Sequence, residues 1–481
     1  MNAGWGLLTP EFVLAGVAFL VWGTDLVLPQ RWKGWLPYLG ILGLLASLAT
    51  VVAQLGLNAQ LGGLIQIDHF SVLFRIGFPL LGIAVCVLSL DFVRQRLEHP
   101  GEYYGLVLVA VLAMMLMSSA SELLTAYISL ELMSFTFYVL TSYAREDPKS
   151  NEAGVKYILL GALSSAILLF GLSLLYGATG TTTFVGLADS LRQGTALVPV
   201  FGLGLVLVLG GFAFKVAVVP FHMWAPDVYE GAPTPVTAFL SVASKAAAFA
   251  LLLRLVATAF LPIGLDWQAV LAALALVSML VGNLVALVQR NIKRLIAYSS
   301  IGQAGYLLLG FAALGPGAAA VSDAILFHLI GYAATNLAAF TGVTAVFNRT
   351  GKEEIADYDG LAQRAPLLAL VLAVAFFSSA GLPFFAGFTT KFYLFAAVVR
   401  QSPSLLWLAG VAIVMSLVSL YYYLVVIKHM FINAPPSPER IKVSRTLSGA
   451  ALVLSAIIVA LGVYPSPLLQ LIAKASRVLF A

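Results

Sequence analysis

The sequence predicts an all-α polytopic membrane protein of about fourteen transmembrane helices, and three observations carry that prediction. Of its 481 residues 61% are hydrophobic and only 10% are charged, with a mean hydropathy of +0.99. A water-soluble domain of this size could not carry such a balance on its surface. Apolar runs of the roughly 20 residues needed to cross the hydrocarbon core recur along the whole chain. The polar connections between them, of which 180–197 and 348–364 are the longest, are too short to bury a core of their own.

The spans are helices, because an open strand edge cannot be satisfied in lipid. In order they are 11–28, 36–56, 70–92, 103–118, 122–143, 153–177, 196–220, 236–257, 267–289, 293–313, 320–346, 366–398, 404–430 and 446–464. The longest two are expected to bend or break. The connection 180–197 is expected to form a small hairpin or surface helix. The connection 348–364, with Lys352, Glu353, Glu354, Asp357 and Asp359, reads as a solvated loop.

Two of these segments are interrupted at corresponding places. The seventh carries Lys215 five residues before Pro220, and the twelfth carries AGLPFFAGFTTK, with Gly381, Pro383, Gly387 and Lys391. Paired segments broken by Gly or Pro point to inverted repeats of a transporter type. The expected division is residues 1–102 with helices 1 to 3, 103–257 as the first five-helix repeat (helices 4 to 8), 258–432 as the second (helices 9 to 13), and 433–481 with helix 14.

Orientation follows from the basic residues. With loops assigned alternately, one side receives sixteen lysines and arginines and the other five, Arg192, Arg254, Arg400, Lys474 and Arg477, leaving five within the membrane. The rich side is expected to be cytoplasmic, with both termini on the opposite, periplasmic side. That bias also accounts for the net charge of +5, so no nucleic-acid partner is implied. The first apolar run follows acidic Glu11 and lacks a basic lead, so it reads as a retained helix rather than a cleaved signal.

Composition closes further doors. The single cysteine, Cys86, cannot form an intrachain disulfide, an iron-sulfur site or a cysteine zinc site. The five histidines are scattered, with no pair at metal or haem spacing on one helix.

The stretch from Gly211 to Lys245, GFAFKVAVVPFHMWAPDVYEGAPTPVTAFLSVASK, stands out in this background. It holds two lysines, a histidine, an aspartate, a glutamate and four prolines. A charge at the bilayer centre costs roughly 2.5 to 3.5 kcal/mol on insertion scales, so such residues mark a working site or a paired structure. The ionisable residues placed within the membrane are Glu131, Lys156, Lys215, Lys245, His328 and Lys391, with His222 at the break after Pro220. One carboxylate faces several ammoniums. Desolvation lowers a buried lysine's pKa and a nearby carboxylate raises it, so a moving partner can make a lysine take up and release a proton. Lifting a proton against about 150 mV costs roughly 3.5 kcal/mol, which a pKa change of about 2.5 supplies.

Each residue has a plainer reading. Glu131 could form a structural ion pair, and Lys391 could snorkel to an interface. Lys156 stands one helical turn after Glu152, so an ordinary i,i+4 pair competes with a relay role. His222 and His328 serve equally well to satisfy carbonyls freed by broken helices. Arg75, near Asp68, reads as snorkelling or structurally paired. Asp227, Glu230, Lys293 and Arg294, at helix ends, read as solvated.

These residues also carry a resemblance. GFAFKVAVVPFHMWAPDVYEGAPTPVTAF, YISLELMSF around Glu131, EAGVKYILLGALSSA around Lys156, NIKRLIAYSSIGQAGY from Asn291 to Tyr306 and GLPFFAGFTTKFYLF around Lys391 together resemble the antiporter-like subunits of respiratory complex I and the related Mrp cation/proton antiporters. Tyr229-Glu230-Gly231, a lysine at 391 and the short C-terminal tail are similar to the N-type branch rather than the L or M types. The resemblance implies a proton channel in which Glu131 pairs with Lys215, Lys245 connects, and Lys391 leads out toward the periplasm. It implies that this chain binds no cofactor itself, with NADH, FMN, iron-sulfur clusters and quinone held by partner subunits of the complex, in a bacterial plasma membrane. It departs from the pattern at Gln303, where many relatives have histidine; a water or Tyr306 would have to bridge there. Competing expectations are a subunit of an Mrp-type antiporter complex and a non-pumping scaffold.

Overall fold

The computed structural model of the protein describes residues 4–261, 267–435 and 439–480. The first three spans are α1 (Thr9–Val27), α2 (Leu36–Val52) and α3 (His69–Arg96). Between α2 and α3 the chain folds a short antiparallel hairpin, β1 (Ala59–Leu61) with β2 (Ile65–Ile67), which the apolar pattern does not announce. Asp68 then starts α3 through a capping box with Ser71, satisfying helix-end donors that lipid cannot.

The next group is α4 (Pro100–Ser119), α5 (Leu123–Thr141), α6 (Pro148–Thr179), the surface helix α7 (Phe184–Arg192) and α8 (Val198–Lys215). Helix α7 fulfils the expectation for 180–197. Proline in the first turn starts α4, α6 and α8, where its missing N–H is no loss. Gly180 closes α6 in the left-handed conformation, with φ 72°. On the basic-poor side this group is stapled by backbone bonds: Ser121 N–H donates to Leu64 C=O (3.0 Å), Leu123 to Thr182 (2.9 Å) and Phe184 to Ser121 (3.0 Å).

The seventh span breaks after Lys215, and the chain resumes as α9 (Trp224–Gly231). The eighth span, Thr234–Phe260, is assembled from α10 (Thr234–Phe239), a π-turn, α11 (Lys245–Leu255) and a second π-turn. It is buried throughout its apolar window, so it forms the axis of the molecule. Around it follow α12 (Trp267–Ala286), α13 (Ile292–Ala312) and α14 (Ala319–Thr350). A short helix, α15 (Leu361–Arg364), precedes the interrupted twelfth span, α16 (Pro366–Ala380) and α17 (Ala386–Gln401). The chain ends in α18 (Leu406–Phe431), α19 (Arg445–Val463) and α20 (Ser466–Phe480).

Thirteen helices among the described residues are long and apolar enough to span, and the split pair α16 and α17 supplies the fourteenth segment. The expected spans are all present. Of the longest, only the twelfth breaks; the eleventh and thirteenth run unbroken as α14 and α18, because neither has a Gly-Pro pair inside it. Helix α20 is a further element, formed by the short tail beyond the fourteenth span for which no helix was expected.

Three side-chain expectations change. Arg254, assigned to the outer side, is 2% exposed and grips Asp68 with its two terminal guanidinium nitrogens at 2.8 and 2.9 Å. Arg75 takes the structurally paired alternative, but its partner is Glu11, at 2.7 Å, rather than Asp68. The connection 348–364 is not simply solvated, since Ile355, Tyr358 and Leu361 are buried and Glu353 reaches inward to Lys293.

Candidate proton path

Helix α8 stops at Lys215, and residues 216–223 are non-helical. The break frees backbone groups that must find partners in a dry environment. The Trp224 indole N–H donates to the Phe214 carbonyl (2.9 Å), and the Val219 N–H donates to the Ser278 hydroxyl (3.0 Å). The Lys215 ammonium, 3% exposed, is thereby fixed against α5. It donates to Ser134 Oγ at 2.7 Å and stands 3.9 Å from Glu131 Oε1. Glu131 in turn accepts from Ser165 Oγ on α6 at 2.6 Å. Glu131 and Ser134 are three residues apart on one helix face, so a small displacement of the ammonium exchanges a hydroxyl for a carboxylate.

Lys245 opens α11 directly after the π-turn Leu240–Ser244. Its ammonium, on a side chain 2% exposed, donates to Ser300 Oγ (2.8 Å) and Ser300 C=O (3.1 Å) on α13. The π-turn leaves Ser241 to be satisfied from α14: Tyr332 donates to its carbonyl (3.0 Å) and Asn336 to its hydroxyl (2.8 Å).

Lys391 lies in the second turn of α17, just past the break. Its ammonium donates to Ser379 C=O (2.8 Å) and Ser416 Oγ (3.0 Å) and sits 5.1 Å from the centre of the Tyr306 ring. His328, 2% exposed, shares a hydrogen bond with Thr390 Oγ1 at 3.0 Å, and its Nε2 has no partner. Gln303, one turn beyond Ser300 on α13, donates to the same Ser379 carbonyl at 3.4 Å while its Oε1 is unpartnered. Ser300, Gln303 and Ser379 therefore form a polar seam between Lys245 and Lys391, and Tyr306 closes it from beside Lys391.

Among the described residues neither Lys245 nor Lys391 has a carboxylate partner. Each is held instead by carbonyl and hydroxyl oxygens alone. The serines that hold these amines, and the threonine that holds His328, were not singled out by sequence. Their signal, hydroxyls on small side chains inside apolar spans, is also the ordinary signal of helix packing.

Lys156 forms the i,i+4 pair with Glu152 that its plainer reading expects, and its side chain, 41% exposed, bridges Glu152 and Asp227, each at 2.7 Å. His222 lies in the break, half-buried with Nδ1 unpartnered, and among the described residues no hydrogen bond or ion pair joins it to Glu131 or to the three buried lysines. Asp227 of α9 binds Arg294 at 2.7 Å as well as Lys156, and Glu230 takes Arg294 (3.0 Å) and Lys149 (3.2 Å). Partial burial pushes the Asp227 carboxyl up, but hydrogen bonds from Lys156 and Arg294 outweigh it and hold the group below its usual range.

Fourteen spans, two interrupted helices and a row of buried amines define a polytopic membrane protein built around an internal chain of titratable groups. The family described as "NADH:quinone oxidoreductase/Mrp antiporter, TM" matches residues 120–416. The NADH-quinone oxidoreductase subunit N of Moorella thermoacetica is 44% identical over 468 residues, covering 96% of each chain. A chain of respiratory complex I from Thermus thermophilus has 32% identity and a TM-score of 0.80, covering 97% of this chain and all of that one. A chain of the Mrp complex from Dietzia sp. shares the fold, with a TM-score of 0.87 at 24% identity, over 100% of this chain and 98% of that one. The chain belongs to the subunit N family of NADH-quinone oxidoreductases.

Proposed function

We propose that this chain is a proton-translocating membrane subunit of an NADH-quinone oxidoreductase in a bacterial plasma membrane, with both termini periplasmic. Protons move through Glu131, Lys215, Lys245 and Lys391, with His328 beside the last. Electron transfer from NADH to quinone takes place on cofactors of partner membrane and peripheral subunits. The two halves, 103–257 and 258–432, are inverted repeats whose broken helices supply Lys215 and Lys391.

One observation carries the reading: Lys215, buried, stands between a serine hydroxyl at 2.7 Å and a carboxylate at 3.9 Å at the point where its helix breaks. A scaffold would close that ion pair. Replacing Lys215 with Ala in the assembled complex is expected to cut proton yield per NADH oxidised by more than half, with the subunits still co-purifying. An unchanged yield would refute the relay. Co-purification with flavin and iron-sulfur subunits separates this reading from an Mrp-type antiporter, which would lack them.

A further inference from the structure

On the basic-rich side a vestibule of about 850 Å³ opens between the ends of α3, α6, α9, α13 and α14. Its floor is formed by Ala232, Thr234, Lys293 and Glu353. Lys293, read from sequence as a solvated helix-end charge, is 2% exposed. Its ammonium donates to the Ala232 carbonyl (3.0 Å) and pairs with Glu353 (2.8 Å). Glu353 is itself strapped to the start of α13, where Ile292 N–H donates to its carbonyl (2.9 Å) and Asn291 to its carboxylate (3.3 Å).

In that floor Thr234 Oγ1, on a side chain 1% exposed, has no hydrogen-bond partner, and next along lies a second buried hydroxyl, that of Tyr229, 0% exposed. Buried unpaired hydroxyls cost free energy unless water reaches them at some stage. Tyr229 faces Ser300, the residue that holds Lys245. Thr234 and Lys245 are eleven residues apart on one span, about 16 Å at 1.5 Å per residue. The two hydroxyls and Ser300 thus line the interval from vestibule to amine.

We propose that the Lys293–Glu353 ion pair is a latch across the vestibule floor, whose opening admits water to the Thr234, Tyr229 and Ser300 row and so to the ammonium of Lys245. The inference rests on the proton-path reading and adds an inlet that bypasses Lys215. Closed, the pair occupies the Ala232 carbonyl and seals the floor. When the ammonium swings outward, the freed carbonyl and the two hydroxyls become partners for a file of water.

The test uses the assembled complex in vesicles that present the basic-rich face to the medium. With Thr234→Cys as a reporter, since native Cys86 is buried, a hydrophilic thiol reagent is added and labelling is read on the peptide carrying position 234. Glu353→Gln strands the Lys293 charge and should raise the labelling rate by about tenfold or more. Should that variant not assemble, Lys293→Ala removes the arm that occupies the Ala232 carbonyl, and the same rise is expected. An unchanged rate overturns the latch. Tyr229→Phe removes only the hydroxyl that faces Ser300 and keeps the buried ring in place. Here proton yield is expected to fall at least twofold while NADH oxidation continues, and an unchanged yield overturns the row. Labelling does not depend on pumping, so failure of the latch and failure of the relay are read separately.

Discussion

Asp227 shows how a single acidic side chain joins the interrupted segment to its neighbours. It ties α9 to α6 through Lys156 and to α13 through Arg294. Because these cations hold the folded carboxyl below its ordinary value, its contribution is complete above the unfolded pKa of about 3.9 and is lost as pH falls through the lower folded value. The melting-temperature gap between the protein and Asp227→Asn should therefore be constant above about pH 5 and shrink below about pH 4. A gap that instead shrank on raising the pH would reverse the assignment. At this scale the sequence was legible where charge stood in an apolar run, as at Glu131, Lys215, Lys245, Lys391 and His328. It was not legible where partners lay far apart in the chain. Nothing local marks Glu11 for Arg75, sixty-four residues away, or Asp68 for Arg254, one hundred and eighty-six away.

Both broken helices were readable as elements, because proline and glycine carry their conformational consequences locally. The structure adds how tightly the second break is built. Gly381 closes α16 with φ 88°, a conformation that disfavours side chains, and the Gly387 N–H donates to Ser378 Oγ at 3.0 Å. A Cβ on Gly387 would run into the Ser378 carbonyl, with no flexible side-chain end to give way. Gly387→Ala should therefore displace α17 and Lys391 with it, lowering proton yield and thermal stability together. A variant with both properties intact would show that the break tolerates movement. The π-turn before α11 was not readable, since its extra residue is accommodated by Tyr332 and Asn336 from a distant helix rather than by any local residue type.

For the whole molecule, the apolar runs determined the span count and the asymmetry of lysine and arginine predicted the two faces. The β-hairpin and α20 escaped because both are short and lie outside the hydrophobic runs. The hairpin matters for how the two faces differ. On its side, α2 through α7 are fastened by the backbone bonds from Ser121, Leu123 and Phe184. On the opposite side α6, α9 and α13 are joined by exchangeable charges, Lys149, Lys156, Asp227, Glu230 and Arg294. Exposed charges are screened over about 10 Å at 0.1 M salt and about 3 Å at 1 M, whereas amide-to-carbonyl bonds are barely affected. Raising ionic strength should thus speed amide hydrogen exchange in α9 and the start of α13 while leaving residues 59–67 and 121–123 unchanged. Equal acceleration at both ends would show that the hairpin does not fasten its face. One surface of the protein is thus fastened by bonds that salt barely reaches, and the other by bonds whose strength the solute content of its compartment sets.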